Sequence, residues 1–453
     1  MMRSLRPSII RTLGGDCRLT AVLRGSALVM AIQVLGIALA YSMQVVIARC
    51  AGPFEFGVFA YAWTWMNVLF LVAAFGMNES ALRLMPSYSA RSEWPLLRGF
   101  VVRGPAVVFG LAGIAGLAAV GALLLLGHRV GEHYQLPLLL TFAATPLFGL
   151  LAFMQGVGRA LGSVLAAFLP RFIGLPGFVI LAVGGFAIAG RIADAVHIIA
   201  ATVAAAGVLV LAQATLLLRA LPAEAKQAAA KTPVRDWLKL AMPFLFIAIC
   251  FGLLTHCDLL MVGFFLSASD VAIYQAASRT AALVSFPLFA LNALVAPMIA
   301  RLHAENRLRD LEGAVSIATR AVFWPSLVAA LLAIAGGGYI LGIFGPAFEA
   351  GHLALSILIL GHIVNVGTGP VSYLMTMTGH QEPCAAVWAT AVAGQFVLNL
   401  LLIPQIGIVG AATGTTLATC FVAISLTILV KRRLDVSAHA LATIRKSFAK
   451  ARA

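Results

Sequence analysis

Two residues of opposite charge stand in stretches where hydrocarbon is the expected surrounding. Asp258 lies in the run 241–266, AMPFLFIAICFGLLTHCDLLMVGFFL, with His256 two positions before it. A carboxylate at the centre of a membrane helix costs about 2.5–3.5 kcal/mol on insertion scales, so it calls for a partner, a wet cavity or a bound proton. Arg279 stands in the next apolar run. Two runs that cross in opposite directions put both charges at a similar depth from one face, and there they can pair. The chemistry open to them is a static ion pair or a switch that takes up a proton or a sodium ion at Asp258.

Other polar residues stand in apolar surroundings too. Arg171 sits in 169–177, LPRFIGLPG, between two prolines. Proline frees backbone carbonyls and kinks a helix. An inner helix kinked beside an arginine suits an anionic head group, with snorkelling to the interface as the alternative. Glu79, with Asn78 before it, stands four residues before Arg83, the spacing of a structural ion pair along one helix face. Arg49 precedes Gly52-Pro53 at the end of an apolar run, the place of an interfacial anchor. Gln33, Gln44, Asn67, Asn292, Asn365, Gln395 and Asn399 are neutral and read mainly as hydrogen-bonding glue between helices, about 0.6 kcal/mol each.

The elements that must position these residues are membrane helices. Of 453 residues, 62% are hydrophobic and 10% charged, and mean hydropathy is +1.01, which excludes an ordinary soluble domain. Runs long enough to span a ~30 Å core fall at about 26–48, 57–77, 101–126, 137–155, 163–188, 193–218, 240–266, 272–298, 321–344, 352–377, 384–403 and 407–430. The basic start shows no A-x-A cleavage site before the first run, which reads as a signal anchor. The six cysteines, at 17, 50, 250, 257, 384 and 420, show no metal or redox spacing and read mostly as core thiols.

Lysine and arginine set the orientation. The segments after even-numbered crossings carry almost all of them, together with the two termini, whereas the opposite side has only Arg49, Arg129 and Arg191. The excess predicts that both termini are cytoplasmic. The net charge of +15 then reflects topology and attraction to anionic lipid, not a nucleic-acid footprint.

The chain repeats itself. Laying Gly52 on Ser267 aligns GPFEFGVFAYA with SASDVAIYQAA, Glu55 with Asp270 and Phe59 with Tyr274. This predicts an N-terminal six-helix lobe over 26–218, a linker over 219–239 and a C-terminal six-helix lobe over 240–430. A basic segment, 1–25, precedes them and a basic tail, 431–453, follows. The symmetry is a pseudo-two-fold along the membrane normal, with a cavity between the lobes. The linker's AEAKQAAAK reads as a surface helix. The tail's Val436, Leu441, Ile444 and Phe448 share a stripe, as in an interfacial helix or a solvated tail.

Enzyme signatures are absent: there is no Walker A sequence, no HExxH and no DxD. The stretch 156–162, GVGRALG, has the wrong spacing for a dinucleotide loop. A helical bundle with a few buried polar groups suits a carrier, with no metal and no cofactor beyond coupling to H+ or Na+.

Four motifs bring a family into view. Residues 47–57, IARCAGPFEFG, resemble the AR-x-LGPEEFG turn of polysaccharide biosynthesis proteins, the Wzx-type flippases of the MOP (MATE-like) exporter superfamily. FGMNESALR (75–83) resembles the family's close of helix two. HCDLLMVG (256–263) with IYQAASR (273–279) is similar to its D-x-x-x-x-G … Y-x-x-A-x-R pattern, and MTGHQ (377–381) with LNLLLIPQIGIVGAA (398–412) to its ending. Ala51 and Phe54 depart from the usual Leu and Glu or Asp. The resemblance implies an all-α polytopic protein of about 12 transmembrane helices in two pseudo-symmetric six-helix lobes.

It also implies movement of undecaprenyl-diphosphate-linked oligosaccharide, for O-antigen, capsule or exopolysaccharide, across a bacterial inner membrane by alternating access. Membrane lipids are its surroundings, and a polysaccharide polymerase and glycosyltransferases are the partners it implies. Arginine grips phosphate bidentately, so Arg49, Arg83, Arg171 and Arg279 are the expected diphosphate contacts. Asp258 and Glu79 are the expected ion- or proton-coupling residues. The alternatives are a MATE-type cation-coupled drug antiporter, which would want more acidic residues than Asp258, Glu79 and Asp194, a lipid II flippase, and a non-transporting scaffold.

Overall fold

The computed structural model describes residues 6–127, 131–190, 193–305, 307–436 and 440, and among the described residues there are helices and turns but no strand. The first helix, α1 (Arg6–Val72), breaks at Gly52, where φ is 83° and ψ 172°. Glycine accepts this conformation without a Cβ clash. Pro53 then opens the returning leg, where a missing N–H costs nothing. The chain reverses at this point, because Gln44 and Trp63 line one cavity, whereas unbroken helix would hold them about 28 Å apart.

The return leg continues as α2 (Met77–Ala90), and α3 (Trp94–Leu126) follows. Next, α4 (Glu132–Ala143) and α5 (Thr145–Ala160) form a pair bent by 47°. The expected proline-kinked crossing is α6 (Val164–Leu169), a π-turn over Pro170–Gly174 and α7 (Leu175–Ile188). α8 (Ala195–Ala220) is capped by Asp194, whose carboxylate accepts from the His197 N–H at 2.9 Å.

After the short α9 (Ala223–Gln227) come α10 (Val234–Phe265), bent by 53° between its halves, then α11 (Ala268–Leu283) and α12 (Phe286–Ala304). The remainder is α13 (Leu308–Ala335), α14 (Gly337–Gly342), α15 (His352–Thr368), α16 (Val371–Met377), α17 (Gln381–Ile406) and α18 (Ile408–Leu434).

Among the described residues eight helices are long and apolar enough to cross a membrane, and ten if each bent pair is one span. Two features separate this from the expected twelve. One span holds both legs of α1, and the crossing expected over 272–298 is divided between α11 and α12 at Val284 and Ser285.

Two apolar cores explain where the cavity lies. Here the "basic end" is the one rich in arginine and lysine, and the "far end" is its opposite. At the far end both halves of the chain share one core, in which Phe56, Phe344, Phe348 and Ala268 are all buried. A separate core, with Ile299, Leu311, Leu374 and Leu426, fills the basic end of the second lobe alone. The lobes therefore join at the far end and part toward the basic end, except where α10 begins.

There the linker departs from expectation. Only Ala223–Gln227 is helical, and the segment after it is strapped to the first lobe. Arg98 donates to the Ala228 carbonyl at 2.6 Å, and the Lys231 N–H donates to the Pro95 carbonyl at 2.9 Å. Trp237, fully buried at the start of α10, donates to the Tyr88 hydroxyl at 3.3 Å and meets Phe100 edge-on. The tail residues Leu441, Ile444 and Phe448 lie outside the described residues.

The internal repeat is visible at the far end, with different partners in each copy. Asp270 closes a capping box with Ser267 at the start of α11. Glu55 instead accepts from the Ala195 N–H at 2.7 Å, at the start of α8. Gly57 lies directly beneath the Ala268 carbonyl, where a Cβ would overlap backbone. Backbone cannot swing aside as a side chain can, so Gly57→Val should destabilise this far-end packing by about 1–3 kcal/mol. The measurement is thermal unfolding in detergent, against Gly110→Val, a site with open space around its Cβ.

Candidate functional site

Asp258 is buried on α10, and three donors surround its carboxylate. The Tyr274 hydroxyl on α11 donates at 2.7 Å, the Leu259 N–H at 2.8 Å and the Thr415 hydroxyl on α18 at 3.2 Å. Gln395 on α17 donates to the Thr415 hydroxyl at 3.2 Å. The carboxylate thus ties α10 to α11 and α18 directly, and to α17 through Thr415. Charge-assisted bonds of this kind are the stronger hydrogen bonds in proteins.

The expected direct pair between Asp258 and Arg279 does not form: among the described residues no ion pair joins them. The Tyr274 hydroxyl and the Thr415 hydroxyl occupy the lone pairs the guanidinium would have used. Arg279 has no ion-pair partner among the described residues, and its Nε is buried with no hydrogen-bond partner.

Arg279 faces a cavity of about 450 Å³ between the lobes. The opposite wall carries Arg171. The π-turn over Pro170–Gly174 holds Arg171, which donates from Nη2 to Asn67 at 3.1 Å and lies 3.5 Å over the Phe70 ring. A cation over an aromatic face is held by the ring quadrupole. Two guanidiniums from different lobes therefore converge on one space, with His256 beside Arg279. A second cavity of about 340 Å³ is lined by the second lobe, with Thr64 of the first, and shares His256, Arg279 and Ala282 with the first cavity.

The far end of this space is closed. Gln275 donates to Gln44 at 2.9 Å, both buried, and the Tyr41 and Thr280 hydroxyls lie 3.0 Å apart. Phe344 packs between Tyr41 and Phe348, at 5.4 and 5.6 Å. Arg49 stands here, outside the cavity. Its Nε donates to the Ile343 carbonyl at 2.6 Å and its Nη2 to the Gly342 carbonyl at 2.8 Å, joining α1 to the end of α14 across the lobes. Carbonyls at a helix C-terminus lack internal partners, so a guanidinium caps them well.

The remaining expected residues are at the basic end. Glu79 does not pair with Arg83. It pairs with Arg159 of α5 at 3.1 Å, because α2 and α5 pack closely: Gly156 rests on the Asn78 backbone, where a Cβ would overlap. The glycine-rich stretch around Arg159 is thus a helix-packing surface. Arg83 is exposed on α2 and bonds no other described residue.

Sequence reasoning missed Tyr274, Thr415 and Phe70 as partners of the buried charges. One signal was present. In the repeat Phe59 stands where Tyr274 stands, and a buried tyrosine hydroxyl needs a partner that phenylalanine does not.

The model of the polysaccharide biosynthesis protein family matches residues 22–303, and the MatE model matches 243–404. A probable flippase, AglR of Haloferax volcanii, is 29% identical over 171 residues, which cover 36% of this chain and 34% of that relative. The match thus spans about a third of that protein's length.

In solved structures the fold is that of an inward-facing multidrug resistance MATE transporter of the MOP superfamily, with a TM-score of 0.72 and 15% identity over 87% of this chain and 94% of that one. The lipid II flippase MurJ in its inward closed conformation follows at 0.69 and 15% identity, over 89% and 87%. An all-α bundle with MATE-like topology, many apolar helices and a family match over residues 22–303 together identify a multi-pass membrane protein that belongs to the polysaccharide biosynthesis protein family.

Proposed function

We propose that this protein is a flippase that moves an oligosaccharide linked through diphosphate to a polyprenyl lipid, of the undecaprenyl class, from the cytoplasmic to the outer leaflet of a bacterial inner membrane. The observation that carries the reading is the convergence of Arg171 and Arg279, from opposite lobes, on one cavity. A diphosphate presents oxygens that match two guanidinium forks, and arginine holds such groups bidentately. The basic end is taken as cytoplasmic from its arginines and lysines. The substrate would enter where the lobes part and leave once the far-end contacts open.

In this reading Arg83, exposed at the basic end, belongs to the entry path, and Arg49 belongs to the far-end closure. Removing Arg49 should favour the state open at the far end. Hydrogen bonds at so exposed a site are worth on the order of 1 kcal/mol, so Arg49→Ala should shift the closed-to-open ratio a few-fold. Distances between spin labels on the far-end tips of α1 and α14, measured by double electron–electron resonance, read this shift directly. An unchanged distribution would remove Arg49 from the closure.

Coupling to a proton or sodium ion would act at Asp258. Neutralising its charge weakens the bonds that tie α10, α11 and α18, and so biases one lobe arrangement against the other. Glu79, in its exposed pair with Arg159, takes a structural role. A polymerase and glycosyltransferases would supply and consume the lipid-linked glycan on either side.

The test is a deletion strain with no second copy. Mass spectrometry of extracted lipid should find a single repeat unit accumulated on the diphosphate lipid, with surface polysaccharide lost. The MatE match favours one alternative, a cation-coupled drug antiporter. An unchanged lipid pool with raised drug sensitivity would establish it. Accumulated lipid II with failing cell-wall synthesis would instead point to a lipid II flippase.

A further inference from the structure

We propose that the second cavity, lined mostly by the C-terminal lobe, is the subsite for the sugar bonded directly to the diphosphate. The proposal rests on the flippase reading and deepens it. In a lipid of this kind the first sugar lies one glycosidic bond from the anion. A subsite for it must therefore share a wall with the anion site. The second cavity does so at Arg279 and His256.

Its lining has the character a sugar requires. Ser278, Asn365, Thr419 and Gln395 are neutral, and among the described residues Trp388 is the one large aromatic side chain on its wall. Sugar hydroxyls both donate and accept, which amides and hydroxyls match and fixed charges do not. The C–H face of a sugar ring packs on an aromatic face. The one carboxylate on the wall, Asp258, is already held by three donors. The side chains of Asn365, Ser278 and His256 bond no other described residue and are free to meet a ligand.

On the other side of Arg279 the first cavity is polar where it meets Gln44 and Asn67 and turns apolar toward the outer surface of the bundle. There the first cavity is walled by Ile37, Leu283, Phe286 and Phe289, and Phe289 is 52% exposed on the outer surface of the bundle. Apolar wall, paired guanidiniums and polar chamber follow one another in the order of polyprenyl tail, diphosphate and sugar. About 340 Å³ is near the lower limit for ligand pockets, roughly 300–1,000 Å³. The chamber thus has room for the proximal sugar and not for a whole repeat unit, so the cavity would read the identity of that first sugar.

The experiment is competition binding to the purified full-length protein. The probes are undecaprenyl diphosphate, bare or carrying one glucose, galactose or N-acetylglucosamine. Wild type should bind at least one glycosylated probe about tenfold more tightly than the bare lipid. Trp388→Leu and Asn365→Ala should each remove most of that preference and leave binding of the bare lipid unchanged. Trp388→Phe, which keeps an aromatic face, should retain most of it. Arg279→Gln should weaken all probes alike. Equal wild-type binding of bare and glycosylated lipids overturns the subsite, as does a preference that survives both Trp388→Leu and Asn365→Ala. Those outcomes leave the flippase reading standing. Failure of every diphosphate probe to bind better than undecaprenol overturns the flippase reading and the subsite with it.

Discussion

In cells with no other copy, Arg279→Gln is expected to abolish surface polysaccharide while the protein stays in the membrane at its normal level. Arg279 has no ion-pair partner among the described residues, and its buried Nε has no hydrogen-bond partner. A buried Nε with no hydrogen-bond partner costs stability. Glutamine removes that cost. It leaves Asp258 fully bonded, since Tyr274, Leu259 and Thr415 satisfy its carboxylate without Arg279. Loss of export would therefore report on substrate and not on folding. Each charge-assisted bond to a diphosphate is worth about 1.5–3 kcal/mol, so affinity should fall about ten- to hundredfold. Arg171→Gln should act in the same direction with an added stability loss, because Arg171 also holds Asn67 and Phe70. Normal polysaccharide in Arg279→Gln cells, by gel and by lipid analysis, would remove Arg279 from the anion site.

The second large effect is expected at Asp258. Asp258→Asn keeps an oxygen for the Tyr274 hydroxyl, now 2.7 Å away. Thr415 donates to that same oxygen, so the new amide takes the place of the other one and faces the Leu259 N–H, donor against donor. Only the Leu259 N–H loses its acceptor, so the fold should survive with a loss of about 1–3 kcal/mol. The fixed neutral group can no longer respond to a proton or a cation. Export should fall about tenfold or more at normal protein level, and what remains should stop responding to an imposed proton or sodium gradient. Full export by Asp258→Asn would end the coupling role. Asp258→Leu is the destabilising control, since it strands the Tyr274 hydroxyl in a fully buried site at a cost of about 1–3 kcal/mol.

Much of the fold was legible because it depends on local rules. Gly52-Pro53 marked the reversal of α1, and the prolines around Arg171 marked the break that became the π-turn. Hydropathy located most crossings, but it could not show that the stretch 272–298 would be cut at Val284 and Ser285. The charged residues were legible as a set and not as pairs. Glu79 and Arg83 have ideal spacing along one helix, yet Glu79 reaches Arg159 because small residues let α2 and α5 approach. Depth placed Asp258 near Arg279, but which donor fills a carboxylate's lone pairs depends on packing between helices far apart in sequence. Thr415 is the clear case, since no periodicity links it to Asp258. The contact of Arg49 with the end of α14 is illegible for the same reason.

The most direct test is transbilayer movement by the purified protein. Vesicles carry a polyprenyl diphosphate whose single sugar bears a nitrobenzoxadiazole dye, and dithionite is added outside. The flippase account predicts that protein-free vesicles lose only outer-leaflet fluorescence. Vesicles with the wild-type protein should lose the signal of both leaflets, and those with Arg279→Gln should behave as if empty. Wild-type vesicles that protect the inner leaflet as fully as protein-free ones, with intact membranes and folded protein, would contradict it.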